Sequence, residues 1–284
     1  MTDENSAASE PPFKLRGKTA IVTGGGRGIG RAIVKLLAYS GANVLAADLD
    51  NEALEEMQTV VSHPDRVASI RGNLTDPSFP QQIVDTALER FHSIDIIVNC
   101  AGFSWDSVIQ KTSDEQLQAM LDIHVVAPFR VLRAASSYLR ETAKKEIAVG
   151  QRVMRKVVNI TSISGTDGNA GQAGYSAGKA GVVGLTKTLA KEWGRYNINV
   201  NAVGFGLMQT RMTQPLKPES KIKMSGKDIP IGVQPVMLES AVALTPLGRL
   251  GTAEEAAGAV LFFCSPLSDY VTGEVLTCSG GFHF

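Results

Sequence analysis

Cysteine is scarce. Cys100, Cys264 and Cys278 are an odd number with no C-x-x-C spacing in 284 residues, which argues against a disulfide framework and fits a reduced, cytoplasmic setting. Histidine is equally sparse, and His63, His92, His124 and His283 form no H-x-x-x-H or His/Cys pairing, so no metal site is expected. Neither charge is in surplus, with 28 Lys and Arg against 28 Asp and Glu, and no basic field is left to hold a nucleic acid. No run approaches the roughly 20 apolar residues of a membrane span, and Asp3 and Glu4 stand where a secretory leader would carry a basic and then an apolar block. Neither nucleic acid nor membrane is an expected partner.

The remaining composition, 44% hydrophobic and 20% charged, belongs to a globular chain able to bury a large core. Residues 1–14 are small and polar with Pro11-Pro12 and read as a tail ahead of the fold. From Lys18 onward, short apolar runs alternate with helix-period segments, the signature of βαβ units. Strands are expected at 19–23, 43–48, 67–72, 94–99, 156–161, 197–203 and 273–278, and helices at 30–40, 51–62, 80–91, 114–141, 174–196 and 252–264. The strand cores lack polar alternation, as they should when helices cover both faces. The expected fold is α/β: one doubly wound, Rossmann-type parallel sheet of about seven strands, in a single domain over 15–284. Two segments break the rhythm. Residues 144–156 (KKEIAVGQRVMRK) read as a basic, solvated loop. Residues 213–245 are too long for a plain connection and carry a hairpin pattern around Ser225-Gly226-Lys227, which suggests a substrate lid.

Thr23-Gly24-Gly25-Gly26-Arg27-Gly28-Ile29-Gly30 follows the first apolar run and opens the first helix. Backbone N–H groups at such a helix start can cradle a pyrophosphate, and glycines at 24, 28 and 30 remove the Cβ atoms that would block it. Asp48 ends the second strand eighteen residues beyond Gly30, near the spacing at which an acidic side chain binds the adenosine ribose diol. A 2′-phosphate about 4 Å from that carboxylate would be repelled by on the order of 4 kcal/mol at an effective dielectric of 20. NAD(H) is therefore favoured over NADP(H), although Arg27 could offset part of the repulsion. Asn73, after the third strand, can offer an amide to the adenine edge. Asn99-Cys100-Ala101-Gly102 closes the fourth strand with small residues that leave room for the cofactor.

Tyr175-Ser176-Ala177-Gly178-Lys179 sets a phenol and an ammonium one helical turn apart on one face. A phenol near pKa 10 needs roughly 4 kcal/mol of phenolate stabilisation to work near neutrality, and one nearby ammonium supplies energy of that order. Lys179 is thus expected to lower the pKa of Tyr175. Ser162 stands thirteen residues upstream, just after the fifth strand, where its hydroxyl can hydrogen-bond a substrate oxygen while Tyr175 transfers the proton.

The glycine loop, the N-x-A-G element, Ser162, Y-x-x-x-K and Pro246-Leu247-Gly248-Arg249-Leu250-Gly251 occur in the order of the short-chain dehydrogenase/reductase family, which the chain resembles from about Lys14 to Gly281. The stretch from Gly165 to Tyr175 is especially similar to bacterial 3-oxoacyl-[acyl carrier protein] reductases. The resemblance implies that Lys179 also holds the nicotinamide ribose, that Ser162 polarises the carbonyl, and that Thr210 contacts the nicotinamide amide or phosphates. With it, Ile29, Leu49, Leu74, Gly206 and Met208 join the expected cofactor contacts, and Asn169, Gln172 and Leu207 join Ser162 on the substrate side. It further implies a homotetramer or homodimer.

Three positions depart from the family pattern. His124 replaces the helix Asn that supports a proton-relay water, Phe205-Gly206 replaces Pro-Gly, and Cys100 replaces a second Asn. His124 is nevertheless kept among the catalytic residues. The expected activity is interconversion of a secondary alcohol and a ketone, with a lipophilic carbonyl such as a 3-oxoacyl thioester favoured because Met208, Met212, Met224, Ile229, Ile231 and Met237 offer an adaptable apolar wall. His124 and Phe205 are the features that would suit the alternative, a catalytically silent NAD(H)-binding sensor or scaffold.

Overall fold

A computed structural model describes residues 13–216, 220–224 and 227–283. Seven parallel strands form the sheet: β1 (Thr19–Thr23), β2 (Asn43–Asp48), β3 (Val67–Arg71), β4 (Ile96–Asn99), β5 (Arg155–Ser162), β6 (Ile198–Phe205) and β9 (Val275–Cys278), in the order β3-β2-β1-β4-β5-β6-β9. The order reverses between β1 and β4, so a crevice opens at the carboxyl ends of those strands, where doubly wound sheets take their ligands. Strands β1, β4, β5 and β6 are buried along their whole length, which explains their unbroken apolar character. Two apolar clusters cover the faces. One packs helices α1 (Gly28–Tyr39) and α9 (Ala253–Cys264) on the sheet; the other packs α3 (Phe79–Phe91), α5 (Ala127–Ala148) and α7 (Ala173–Trp193). No helix of the described residues is long and apolar enough to cross a membrane.

The strand expectations hold to within two residues, whereas the tail, the long helix and both irregular segments need correction. Residues 1–12 lie outside the described residues, but Phe13 already packs on the core and Leu15 is buried, so the tail cannot extend to 14. The expected helix 114–141 is divided. Helix α4 (Asp114–Leu121) passes through a π-helical turn (Asp122–Val126) into α5, which opens on Ala127-Pro128 and runs on to Ala148. The basic segment 144–156 is therefore mostly not a loop: its first five residues are helical, because Glu, Ala, Lys and Ile continue a good helix sequence, and Arg155 already belongs to β5.

The two cations at the end of that segment are buried rather than solvated. Both guanidinium nitrogens of Arg155 donate to the Glu146 carboxylate at 2.7 Å, and Lys156 Nζ lies 2.7 Å from an Asp269 carboxylate oxygen. With Arg155 only 4% exposed, Glu146→Ala strands a buried charge. Its expected cost is about 2 kcal/mol, reduced from the value for a fully buried pair because Glu146 is partly open to water. The urea midpoint measures it, and an unchanged midpoint would show that the pair does not stabilise the fold.

Between β6 and α9 the chain carries a two-stranded antiparallel ribbon, β7 (Lys221–Met224) with β8 (Lys227–Pro230). This is the expected hairpin; its turn residues Ser225 and Gly226 lie outside the described residues. Helix α8 (Pro235–Leu244), not among the expected elements, follows with a proline in its first turn and no buried residue.

Candidate active site

A cleft of about 1970 Å³ runs along the carboxyl edge of the sheet, bounded by the glycine turn at one end and by α8 at the other. Its floor begins at helix α1. The N-cap position, Arg27, makes no side-chain cap, and no acidic residue stands in the first turn, in contrast to Asp50, Ser113 and Thr252, which cap their helices. The uncapped N–H groups and positive dipole end of α1 therefore face the cleft through Gly28, Ile29 and Gly30. A Cβ on Gly30 would lie 1.9 Å from the Gly24 carbonyl oxygen, and one on Gly24 would lie 2.7 Å from Ala101 Cα, whereas Gly28, at φ +51°, has only Thr210 Cγ2 at 3.9 Å before it. Two glycines thus let the turn close, and the third leaves an open approach to backbone donors, which suits a pyrophosphate.

Asp48 stands beside this turn. Its carboxylate accepts from the Gly26 N–H at 2.9 Å and the Asp50 N–H at 3.1 Å and lines the cleft. Arg27 is committed to Asp50 through two hydrogen bonds, and Arg31 to Glu56 and the Gly26 carbonyl. Burial raises the Asp50 carboxyl, but the Ala53 N–H and Arg27 outweigh it and hold the pKa below the usual range. Leu49, Asn73, Leu74, Ala101 and Gly102 line the same end. Asn73 spends its carbonyl oxygen on the backbone N–H and hydroxyl of Thr75, so only the NH₂ of its amide remains for a ligand. Thr23 and Asn99 lie behind the wall instead of lining it. The Thr23 hydroxyl accepts the Cys100 and Ala101 N–H groups, and Asn99 donates to Asn159, which donates to Thr186 on α7. Both are corrected from cofactor contacts to supports.

Ser162, Tyr175 and Lys179 meet at the middle of the cleft. Ser162 closes β5 and caps the short helix α6 (Ile163–Thr166) by accepting the Ser164 N–H at 3.2 Å, while its hydroxyl donates to the Phe205 carbonyl at 3.3 Å. Helix α7 carries the other two. Lys179 is 5% exposed; its Nζ donates to the Ile160 carbonyl at 2.8 Å and sits 5.6 Å from the Tyr175 ring centre.

The electrostatics differ from the expectation. In the free protein burial pushes the Tyr175 phenol up to about 12, a hydrogen bond with Ser162 draws it partway back, and Lys179 is not among the groups that move it. Lys179 is itself pushed down to about 8 by burial. The ammonium is directed at a backbone carbonyl, so the i, i+4 spacing alone does not depress the phenol.

His124 occupies the π-helical turn and is buried. Its ring meets Tyr175 edge to face at 5.1 Å, Nε2 is 2.8 Å from the Phe103 carbonyl, and Nδ1 has no hydrogen-bond partner among the described residues. Burial, reinforced by Lys179, holds its pKa well below 6.5, so the imidazole is neutral with Nε2 as donor. Glycines make this packing fit. A Cβ at Gly102 would lie 2.4 Å from His124 Cε1, one at Gly178 3.0 Å from His124 Cβ, and one at Gly181 2.8 Å from a Val125 methyl.

Asn169 and Gln172 also line the cleft. Gln172 Oε1 accepts from Ser164 and Asn169, and its amide donates to Asp106 at 2.8 Å. Asp106, Ser164 and Trp105 are cleft residues that sequence reasoning missed, since no local spacing connects 104–106 to 172. Gly206, Leu207, Met208 and Thr210 line the cleft, but Met208 is buried in the core and the Thr210 hydroxyl accepts the Met212 N–H. The apolar wall is likewise revised. Ile229 is buried and does not line the cleft, and the Met224 side chain lies outside the described residues, whereas Met208, Met212, Ile231 and Met237 do line it. Val236, Ala241 and Leu244 of α8 extend that wall, with Ile222 of the ribbon.

The chain matches a family model described as enoyl-(acyl carrier protein) reductase over residues 24–283. It is 34% identical to the 3-oxoacyl-[acyl-carrier-protein] reductase of Thermotoga maritima, over 95% of this chain and 99% of that protein. It is 35% identical to a 3alpha-hydroxysteroid dehydrogenase of Mediterraneibacter gnavus, over 94% and 97% respectively. Among solved structures, a short-chain dehydrogenase/reductase of Brucella melitensis titled glucose/ribitol dehydrogenase superposes with a TM-score of 0.78 at 27% identity, covering 96% of this chain and 99% of that one.

Proposed function

Because the chain belongs to the short-chain dehydrogenase/reductase family, and is thereby a secondary alcohol/ketone oxidoreductase with a nicotinamide cofactor, we propose that it uses NAD(H) on a lipophilic carbonyl, with Tyr175 as acid and base. The observation that carries the reading is the meeting of Ser162, Tyr175 and Lys179 in the cleft beside the uncapped start of α1. The glycine turn and the N–H groups of α1 would hold the pyrophosphate, Asp48 the adenosine ribose diol, and Lys179, with two of its three donors left over, the nicotinamide ribose. The cofactor supplies or accepts the hydride.

The chain's own residues handle the proton. A phenol held up to about 12 is fully protonated at neutral pH, the form required to donate to a carbonyl oxygen during reduction. The Ser162 hydroxyl can turn from the Phe205 carbonyl to the same substrate oxygen. Neutral His124 holds the Tyr175 ring on its edge. The lipophilic preference rests on α8, an apolar helix with no buried residue whose Val236, Met237, Ala241 and Leu244 face the cleft, and it agrees with the acyl and steroid relatives. A panel of ketones and secondary alcohols graded in size, followed by NADH absorbance, tests the reading; preference for small hydrophilic sugars would count against it.

Asp48 carries the choice of cofactor. Asp48→Asn keeps an acceptor for the Gly26 N–H but removes the charge facing a 2′-phosphate. It is expected to narrow the preference for NADH over NADPH in kcat/KM by about tenfold or more. An unchanged ratio would remove Asp48 as the determinant.

A further inference from the structure

The end of the chain folds back over the cleft, and nothing assigned so far uses it. After β9, Ser279 packs on Gly206 so closely that a Cβ on that glycine would lie 2.7 Å from Ser279 Cβ. The chain then reverses. Gly280 and Gly281 take φ of +66° and +86°, a conformation that side chains rarely adopt, and the Phe282 N–H donates to the Ser279 carbonyl at 3.2 Å. This turn is fixed to the foot of the lid: the Leu247 N–H donates to the Gly280 carbonyl at 3.2 Å, and a Cβ on Gly281 would meet Pro246 Cγ at 2.8 Å. On its other side, His283 Nδ1 lies 3.0 Å from an Asp167 carboxylate oxygen. Asp167 follows directly on α6, which begins after Ser162. The segment 279–283 therefore spans from the foot of α8 to the wall that carries Ser162.

Between these two anchors stands Phe282. It is 5% exposed although it is among the last described residues, and it forms part of the cleft wall. A left-handed double glycine and the contact between His283 and Asp167 hold this one aromatic side chain against the cleft.

We infer that Phe282 is a specificity-determining residue, which closes the substrate end of the cleft and sets the largest apolar substrate admitted, and that residues 279–283 are the strap that holds it. The inference rests on reading this cleft as the substrate site. The excluded group is hydrocarbon, because Met237 and Leu244 line the same cleft as Phe282.

The test measures binding, so that it stands apart from turnover. Calorimetric titration of the NAD⁺-saturated protein with 2-pentanone, 2-octanone and 2-undecanone compares the wild type with Phe282→Ala, a chain ending at Gly281, and His283→Ala. Phe282→Ala and the shortened chain are expected to raise affinity for 2-undecanone relative to 2-pentanone at least fivefold, and His283→Ala to raise it less, with NAD⁺ affinity unchanged within twofold. His283 is exposed, so its variant keeps the test decisive should the others fold poorly. The same affinity ratio in every folded protein, or no ketone binding at all, would overturn the inference. A wild type that binds the ketones but reduces none of them refutes the catalytic reading alone.

Discussion

Tyr175→Phe is expected to lower turnover in both directions by three orders of magnitude or more, while NADH still binds within about threefold of the wild type. General acid–base catalysis contributes roughly 10²–10⁴-fold, and a thousandfold loss corresponds to about 4 kcal/mol on the barrier. The upper part of that range applies because no other group near the site can take over the proton. The Cys100 thiol is pushed up to about 12 by burial, His124 is neutral with its Nε2 turned to the Phe103 carbonyl, and Lys179 Nζ donates to Ile160 and, on the proposed reading, turns its other two donors to the nicotinamide ribose. Phenylalanine keeps the ring that packs edge to face on His124, so the fold and the cofactor cradle should survive. Steady-state kinetics with a fluorescence titration of NADH separates the two effects. Turnover within tenfold of the wild type would show that Tyr175 is not the proton donor.

Gly30→Ala is expected to abolish measurable NADH binding, a loss of at least a hundredfold, or about 2.7 kcal/mol, and to lower the melting temperature as well. The added methyl would lie 1.9 Å from the Gly24 carbonyl oxygen. That atom is backbone, so no rotamer change relieves the contact; the turn must open, and the turn is also held by the Gly24 and Gly25 N–H bonds to the Ala47 carbonyl. Gly28→Ala makes the contrast. Its methyl meets only Thr210 Cγ2, at an ordinary contact distance of 3.9 Å, so its penalty comes from its left-handed φ and from crowding of the ligand, and it should cost less thermal stability than Gly30→Ala. Equal NADH affinity in Gly30→Ala and the wild type would mean that the turn is not the cradle.

The parts of this molecule that sequence spacing encodes were legible. The apolar runs become buried parallel strands, the glycine turn sits between β1 and α1, and Tyr175 and Lys179 share a face of α7 because four residues make one helical turn. What escaped depends on partners distant in the chain. Segment 144–156 looked solvated for its charge, yet Arg155 finds Glu146 across the turn that joins α5 to β5. The π-helical turn at 122–126 is imposed by packing against Gly178 and Gly181, and no local propensity announces it. The expected effect of Lys179 on Tyr175 rested on their i, i+4 spacing alone, whereas a β5 carbonyl captures Nζ. Helix α8 is apolar apart from Glu239 and Ser240, so no periodic stripe marks it, and Val236, Met237, Ala241 and Leu244 line the cleft.

The glycine face of α7 has a consequence for anyone redesigning this protein. Gly174, Gly178 and Gly181 seat the helix against Met120, His124 and Val125 with almost no spare room, so α7 can neither roll nor slide without collision, and the aim of Tyr175 is set by residues that touch no ligand. The lid has no such interlock, since α8 buries nothing. On the proposed function, exchanging side chains on α8 is expected to change selectivity while α7 stays on a fixed bearing, and libraries aimed at new substrates belong on that helix and not on the α7 glycines.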